Sequence, residues 1–270
     1  MAREAVDAVS VKSGDAVLST GVRLRYVEQG DPDGPAVVAL HGITDSSFSF
    51  SPLLPLLPPA LRVIAPDQRG HGESERPRDG YAMRDLGQDV LALMDALGIA
   101  RATLVGHSMG TFVAREAALI APDRISGLLL LGAGATGRGP GVRELWRIVE
   151  TMVDPIDPKF VYEFQAGTIH RQVAPEFLAR VVEESLKVPA RVWRAALASI
   201  AGIESAAACG GIRCPTRLVW GDRDATFLRD EQDELARLIP GATLEILPVV
   251  GHAVHWEAPE AVGHVLRAMC

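Results

Sequence analysis

The chain has 270 residues, 48% of them hydrophobic and 23% charged, and a net charge of −7. That balance fits one large globular domain, or one domain with an insertion, and excludes a disordered or fibrous chain. The acidic balance, with no cluster of Lys and Arg, argues against a phosphate-backbone partner.

Residues 15–28 alternate as a hairpin does, with a turn near Thr20-Gly21. Asp31-Pro32-Asp33-Gly34-Pro35 is a turn signal, and the continuous apolar run Ala36 to Leu40 predicts a strand buried on both faces. The runs Leu61 to Ala65, Ala102 to Val105, Leu128 to Leu131, Thr216 to Trp220 and Thr243 to Leu247 read the same way. Between them lie helical periods. Met83, Leu86, Val90, Leu93, Met94 and Leu97 share a face and Gly98 stops it. Thr111 to Ile120, Leu228 to Ile239 and a last helix opened by Pro259 follow the same pattern. Strands alternating with helices predict an α/β fold with a mostly parallel sheet covered on both sides. From about 136 to 204 only helical periods occur, punctuated by Asp154-Pro155 and Asp157-Pro158, so this stretch reads as a helical insertion between two strands.

Lysine is almost absent (Lys12, Lys159 and Lys187 only), and with the many alanines this suggests a GC-rich, bacterial genome. Cys209, Cys214 and Cys270 show no Cys-x-x-Cys spacing and fit reduced thiols, so neither a disulfide framework nor a metal site is expected. No leader or membrane-spanning segment is visible, and the cytoplasm is the default expectation.

The most informative stretch is Gly106-His107-Ser108-Met109-Gly110, a G-x-S-x-G lying between a strand and a helix. In that context the serine sits on a sharp turn that lifts its hydroxyl clear of the sheet. A serine hydroxyl is a poor nucleophile near neutrality and needs a base, itself oriented by a third group. His252, on the loop after Thr243 to Leu247, is the best-placed base, with His255 as competitor. The acid belongs after a strand between serine and histidine. Asp222 and Asp224 in Trp220-Gly221-Asp222-Arg223-Asp224 both qualify, with Asp224 preferred, Asp222 suited to bracing the turn and Glu257 a remote third. The order Ser108…Asp224…His252 is that of one convergent triad type. An oxyanion would need preorganised donors, and the backbone N–H groups of Met109 and Ile43 are the candidates, the latter in His41-Gly42-Ile43-Thr44.

Together these blocks, with Asp67-Gln68-Arg69-Gly70-His71-Gly72-Glu73-Ser74, resemble the α/β-hydrolase superfamily, most of all its esterase, lactonase and epoxide-hydrolase branch with a helical cap. The resemblance covers nearly the whole chain. It implies an eight-stranded, mostly parallel sheet with helices on both faces, a core of 1–136 and 205–270, and a cap of 137–204. It supports Asp224 over Asp222, and His252 as base. It makes the Asp67 to Ser74 block a fold marker in which Asp67 and Arg69 tie the loop to its neighbours. Epoxide hydrolases and haloalkane dehalogenases of this family carry Asp at the elbow, where this chain has Ser108. The resemblance therefore implies an acyl-enzyme and a small to medium, largely apolar ester or lactone, without a cofactor. It leaves open carbon–carbon bond hydrolases, perhydrolases and slow-turnover ligand-binding signalling proteins of the same fold. Phe48, Trp146, Phe164, His170, Trp193 and Val250 are expected to touch the substrate, with Phe160, Tyr162 and Arg171 as further candidates. Beyond that small molecule no nucleic-acid or membrane partner is expected, and a homodimer is compatible.

Overall fold

The computed structural model describes residues 11–270; part of the segment read as lacking a leader, residues 1–10, lies outside the described residues. The N-terminal alternation folds as a hairpin of β1 (Lys12–Val17) and β2 (Arg23–Gln29). The apolar runs and helical periods then give β3 (Ala36–Leu40), β4 (Arg62–Pro66), α1 (Met83–Ala96), β5 (Ala102–His107), α2 (Met109–Ile120) and β6 (Ile125–Leu131). Four helices follow, α3 (Pro140–Val149), α4 (Pro158–Gly167), α5 (Pro175–Leu186) and α6 (Ala190–Ala201). The chain then returns to the sheet with β7 (Thr216–Gly221), α7 (Arg229–Leu238) and β8 (Thr243–Leu247), and ends with α8 (Val254–Glu257) and α9 (Pro259–Arg267).

The eight strands form one sheet in the order β1-β2-β4-β3-β5-β6-β7-β8. β1, β2 and β4 pair antiparallel, and β4 through β8 are parallel. Side chains alternate between two cores, as the period of a strand requires. Val38, Leu40, Ile64, Leu104, Leu128 and Leu130 pack toward α1 and α2, while Val37, Ala39, Val63, Val105, Leu129 and Leu131 pack toward Val262, Val265 and Leu266 of α9. The chain moves from β3 outward to β4 and then returns across β3 to β5, so the strand order reverses between β3 and β5. In open α/β sheets the crevice at the carboxyl ends of such strands is where ligands bind. The loops carrying Gly42-Ile43 and Ser108 leave the sheet at that crevice.

The helical insertion departs from the sequence reading at one place. Asp157-Pro158 does not merely interrupt it but starts α4: the Asp157 carboxylate accepts from the Lys159 N–H at 2.9 Å, and Pro158 occupies the first turn, where its missing N–H costs nothing. This puts Phe160, Val161 and Phe164 on one helical face toward Trp193.

The Asp67 to Ser74 loop is held as a fold marker should be. Asp67 accepts from the backbone N–H of Ser47 at 2.7 Å and of Glu73 at 2.8 Å. The Arg69 guanidinium meets buried Asp89 through two bonds, from Nε at 2.5 Å and from an Nη at 2.6 Å. Removing one partner of a buried pair leaves the other charge uncompensated, at about 3–5 kcal/mol. Arg69→Ala is therefore expected to lower the unfolding free energy in urea by about that amount, and a loss within the error of measurement would show that the pair is dispensable.

Candidate active site

Ser108 stands between β5 and α2 with φ 50° and ψ −115°, a left-handed φ that a non-glycine residue rarely adopts. Its flanking glycines are forced by packing. A Cβ on Gly106 would lie 2.4 Å from the carbonyl oxygen of Gly110, and one on Gly110 would lie 2.1 Å from that of Leu40. The Ser108 N–H is fixed to Leu131 O at 3.0 Å, which ties the turn to β6.

His252 lies on the loop after β8. Its Nδ1 is 2.8 Å from Asp224 Oδ2, and both residues are buried. Asp224 Oδ1 accepts from the N–H groups of Thr226 (2.7 Å) and Phe227 (3.1 Å), so the carboxylate is held from both sides. A carboxylate against Nδ1 fixes the imidazole tautomer with its proton on Nδ1 and a free lone pair on Nε2. Gly132, at the end of β6, makes room for the ring, since a Cβ there would sit 2.9 Å from His252 Nδ1. The end of α4 holds the backbone: the N–H groups of His252 and Ala253 both donate to Thr168 O, at 2.8 and 3.1 Å.

The competing side chains have other partners. Asp222 accepts from the Val249 N–H at 2.6 Å and braces the loop. Glu257 accepts from the N–H groups of Gly251, His170 and Arg171. His255 is fully buried, with Nε2 2.8 Å from Ser49 Oγ, and burial pulls its pKa down to about 3.

Ile43 and Met109 flank the Ser108 turn. Met109 is the first residue of α2, where the backbone N–H groups have no intrahelical acceptor. Neither the Ile43 nor the Met109 N–H finds a backbone acceptor among the described residues.

Ser108 and His252 border two adjoining chambers that also share Ile43, Phe164 and Thr168. The first, of about 20 Å³, adds Gly42, Asp45, His107, Gln165 and Trp256. The second, of about 40 Å³, adds Val142, Leu145, Leu197, Ile200 and Phe227. Of the side chains expected to touch substrate, Phe164 borders these chambers and the other five lie elsewhere among the described residues. Phe48 stacks on Phe177 with centroids 5.4 Å apart and lines a separate cavity of about 360 Å³ beside Arg25, Arg180 and Lys187. Trp146 packs on the core while its neighbour Leu145 reaches the chamber, since one residue along a helix turns the side chain by about 100°. Trp193 is fully buried against Phe160 and Phe164. Val250 is fully buried in the core on the α9 side, and His170 is exposed, anchored through its backbone. The residues the sequence reading missed, Asp45 and Gln165 above all, are polar groups in segments without motif spacing, so no pattern marked them.

Asp45 is a carboxyl buried in the chamber wall. Burial raises its pKa from 3.8 to about 7, against the opposing hydrogen bonds of Gln165 and Ser49. The folded chain thus holds this proton more tightly than the unfolded one. The stability that follows is complete below about pH 4 and is lost as the pH rises through about 7. Asp45→Asn is expected to flatten the fall in urea-unfolding free energy between those pH values, and an unchanged slope would assign it elsewhere.

Among the described residues no helix is long and apolar enough to cross a membrane, and no three His, Cys, Asp or Glu side chains form a group that would hold a metal ion.

The fold and these blocks have clear relatives. The chain is 31% identical over 260 residues to the dihydrolipoyllysine-residue acetyltransferase component of an acetoin cleaving system from Pseudomonas putida, covering 92% of this chain and 66% of that protein. It is 39% identical over 123 residues to epoxide hydrolase A from Mycobacterium tuberculosis, covering 44% of this chain and 38% of that protein. The chain therefore spans only part of both relatives. Among solved structures, a thermophilic esterase from Thermogutta terrifontis superposes with a TM-score of 0.83 at 26% identity, over 95% of this chain and 97% of that one. The family model for the alpha/beta hydrolase fold matches residues 35–259. With that match spanning most of its length, and with the sheet and the strained serine turn described above, the chain belongs to the alpha/beta hydrolase fold family.

Proposed function

We propose that the protein is a serine hydrolase that cleaves a carboxylic ester or lactone, small to medium in size and largely apolar, through an acyl-enzyme. The observation that carries this reading is the 2.8 Å contact from His252 Nδ1 to Asp224 Oδ2, on a histidine that shares both chambers with Ser108. Esterase and epoxide hydrolase relatives agree with hydrolysis in general, and the serine at the elbow favours the acyl chemistry.

Ser108 Oγ attacks the carbonyl carbon while His252 Nε2 takes its proton, and Asp224 stabilises the imidazolium that forms. The carbonyl oxygen becomes an oxyanion held by the Ile43 and Met109 N–H groups. Preorganised donors act there without reorganising during the reaction. Collapse breaks the bond to the leaving oxygen, which receives the proton from His252. Water, deprotonated by His252, then attacks the acyl carbon, and Ser108 Oγ leaves with that proton. No hydrogen bond joins Ser108 Oγ to His252 among the described residues; such contacts are often long in a free enzyme and tighten with substrate.

Helices α3, α4 and α6 of the insertion supply Leu145, Phe164 and Leu197 to the chamber walls, so residues 137–204 act as the cap that shapes the acyl site. The chambers are far smaller than the roughly 300 Å³ of an open ligand pocket. Short acyl groups are therefore favoured, and longer ones need the cap to yield. Turnover of p-nitrophenyl acetate to octanoate, with a set of lactones, tests the reading. It expects at least about 1 s⁻¹ on a short-chain member, and values far below that on every compound would sink it.

A further inference from the structure

Ser108 stands at a boundary. One chamber beside it is apolar, walled by Val142, Leu145 and Phe227, and the other presents Asp45 and His107. The second pair is unusual because both side chains offer acceptors to the same gap.

His107 Nε2 lies 3.2 Å from the carbonyl oxygen of His252, a contact that requires its proton on Nε2. Burial keeps the ring neutral, its pKa well below the ordinary value. Nδ1 therefore carries a lone pair, and it is buried with no hydrogen-bond partner among the described residues. Asp45 Oδ1 accepts from Gln165 Nε2 at 3.1 Å and Oδ2 from Ser49 Oγ at 3.3 Å. Burial raises the Asp45 pKa to about 7, so the side chain is a carboxylate above that pH; ionised, it has about four acceptor positions, and capacity remains on both oxygens. His107 Nδ1 and Asp45 Oδ2 are 3.9 Å apart, too far for a direct bond and suited to one polar atom between them. That gap exists because residue 42 is glycine: a Cβ on Gly42 would lie 2.9 Å from His107 Nδ1 and 3.2 Å from Asp45 Oδ2.

The chemistry of the gap limits its occupant. Two acceptors repel a carboxylate, and an apolar group would leave both without a donor. An ammonium would oppose the imidazolium that His252 must become. The whole chamber measures about 20 Å³, so its polar end admits no more than one hydroxyl-sized group. We infer that the substrate is an ester or lactone bearing a hydroxyl close to its scissile carbonyl, and that Asp45 and His107 Nδ1 hold that hydroxyl while the apolar chamber takes the hydrocarbon part. This rests on the hydrolase reading above and deepens it.

Two matched pairs of esters test the inference. p-Nitrophenyl 3-hydroxybutyrate against p-nitrophenyl butyrate places the hydroxyl on the acyl side, and 2-hydroxyethyl butyrate against ethyl butyrate places it on the alcohol side. Each kcat/KM is measured above pH 7, where Asp45 is ionised, and is divided by the rate of alkaline hydrolysis, which removes intrinsic reactivity. The hydroxyl member of at least one pair is expected to lead by about tenfold or more. In Asp45→Ala, and in Gly42→Ala, whose methyl fills the gap, that ratio is expected to fall to about 1, whatever the absolute rates. Should either variant fail to fold, the wild-type ratios decide alone. Parents turned over with no hydroxyl advantage in either pair would overturn the inference and leave the hydrolase reading standing. No turnover of any of the four esters would overturn the inference, and failure of the acyl-ester and lactone panel as well would overturn the hydrolase reading.

Discussion

Ser108→Ala is expected to lower kcat on p-nitrophenyl butyrate by about 10⁴-fold or more, with the melting temperature close to that of the parent. The size of the loss follows from the order of events. Without Oγ there is no acyl-enzyme, and His252 is left to activate water at a site built for a covalent step. What survives is the small acceleration that binding and the Ile43 and Met109 N–H groups provide. Ser108 is nearly buried and its backbone is already held by Leu131 O and by the close packing of Gly106 and Gly110, so the side chain contributes little to the turn's stability. The variant thus separates chemistry from folding: a stopped-flow and steady-state assay showing activity within tenfold of wild type would remove Ser108 as nucleophile.

The aspartates two residues apart give the second large contrast. Asp224→Asn is expected to cost about 10⁴-fold in kcat, because an amide beside Nδ1 favours the tautomer that presents N–H to the serine. Asp224 Oδ2 is the atom against His252 Nδ1, and Oδ1 is held by the Thr226 and Phe227 N–H groups. Asp222→Asn should cost far less, since that side chain accepts from the Val249 N–H and meets the exposed Arg223 guanidinium at 3.6 Å, away from His252, and its amide oxygen can still accept. A pH–rate profile adds a second readout, in which Asp224→Asn alters the limb that reports the base and Asp222→Asn leaves it in place. Equal losses in both variants would show that the loop, rather than the contact to His252, is what matters.

Much of this architecture was written in local pattern. The runs Ala36 to Leu40 and Ala102 to Val105 are apolar at every position because both faces of those strands are covered, and such runs need no alignment to read. Gly106, Ser108 and Gly110 could be placed at a turn because the steric demand is carried by the residues themselves. Asp224 over Asp222 was decided less firmly in the sequence, where two carboxylates on one loop differ only in reach. The lining of the chambers is hard to read from sequence for a physical reason. Trp146 and Trp193 are large and apolar, which marks them for burial in general, and only the helix rotation and the packing of Phe160 against Trp193 decide which face meets the chamber. In sequence Pro158 reads as punctuation, because a proline in the first turn of a helix and one that ends a helix look alike without the cap from Asp157. Asp45 carries no signal in sequence because a single acid in a Ser-rich loop has no period, and it is covered by Gln165 of α4 and by α5, more than a hundred residues away along the chain.

Covalent labelling tests the nucleophile most directly. The wild-type protein treated with an alkyl fluorophosphonate and mapped by peptide mass spectrometry is expected to carry one adduct, on Ser108, at a rate that falls sharply in His252→Ala. An adduct on another residue, or labelling of Ser108 as fast without the imidazole as with it, would contradict a serine activated by His252.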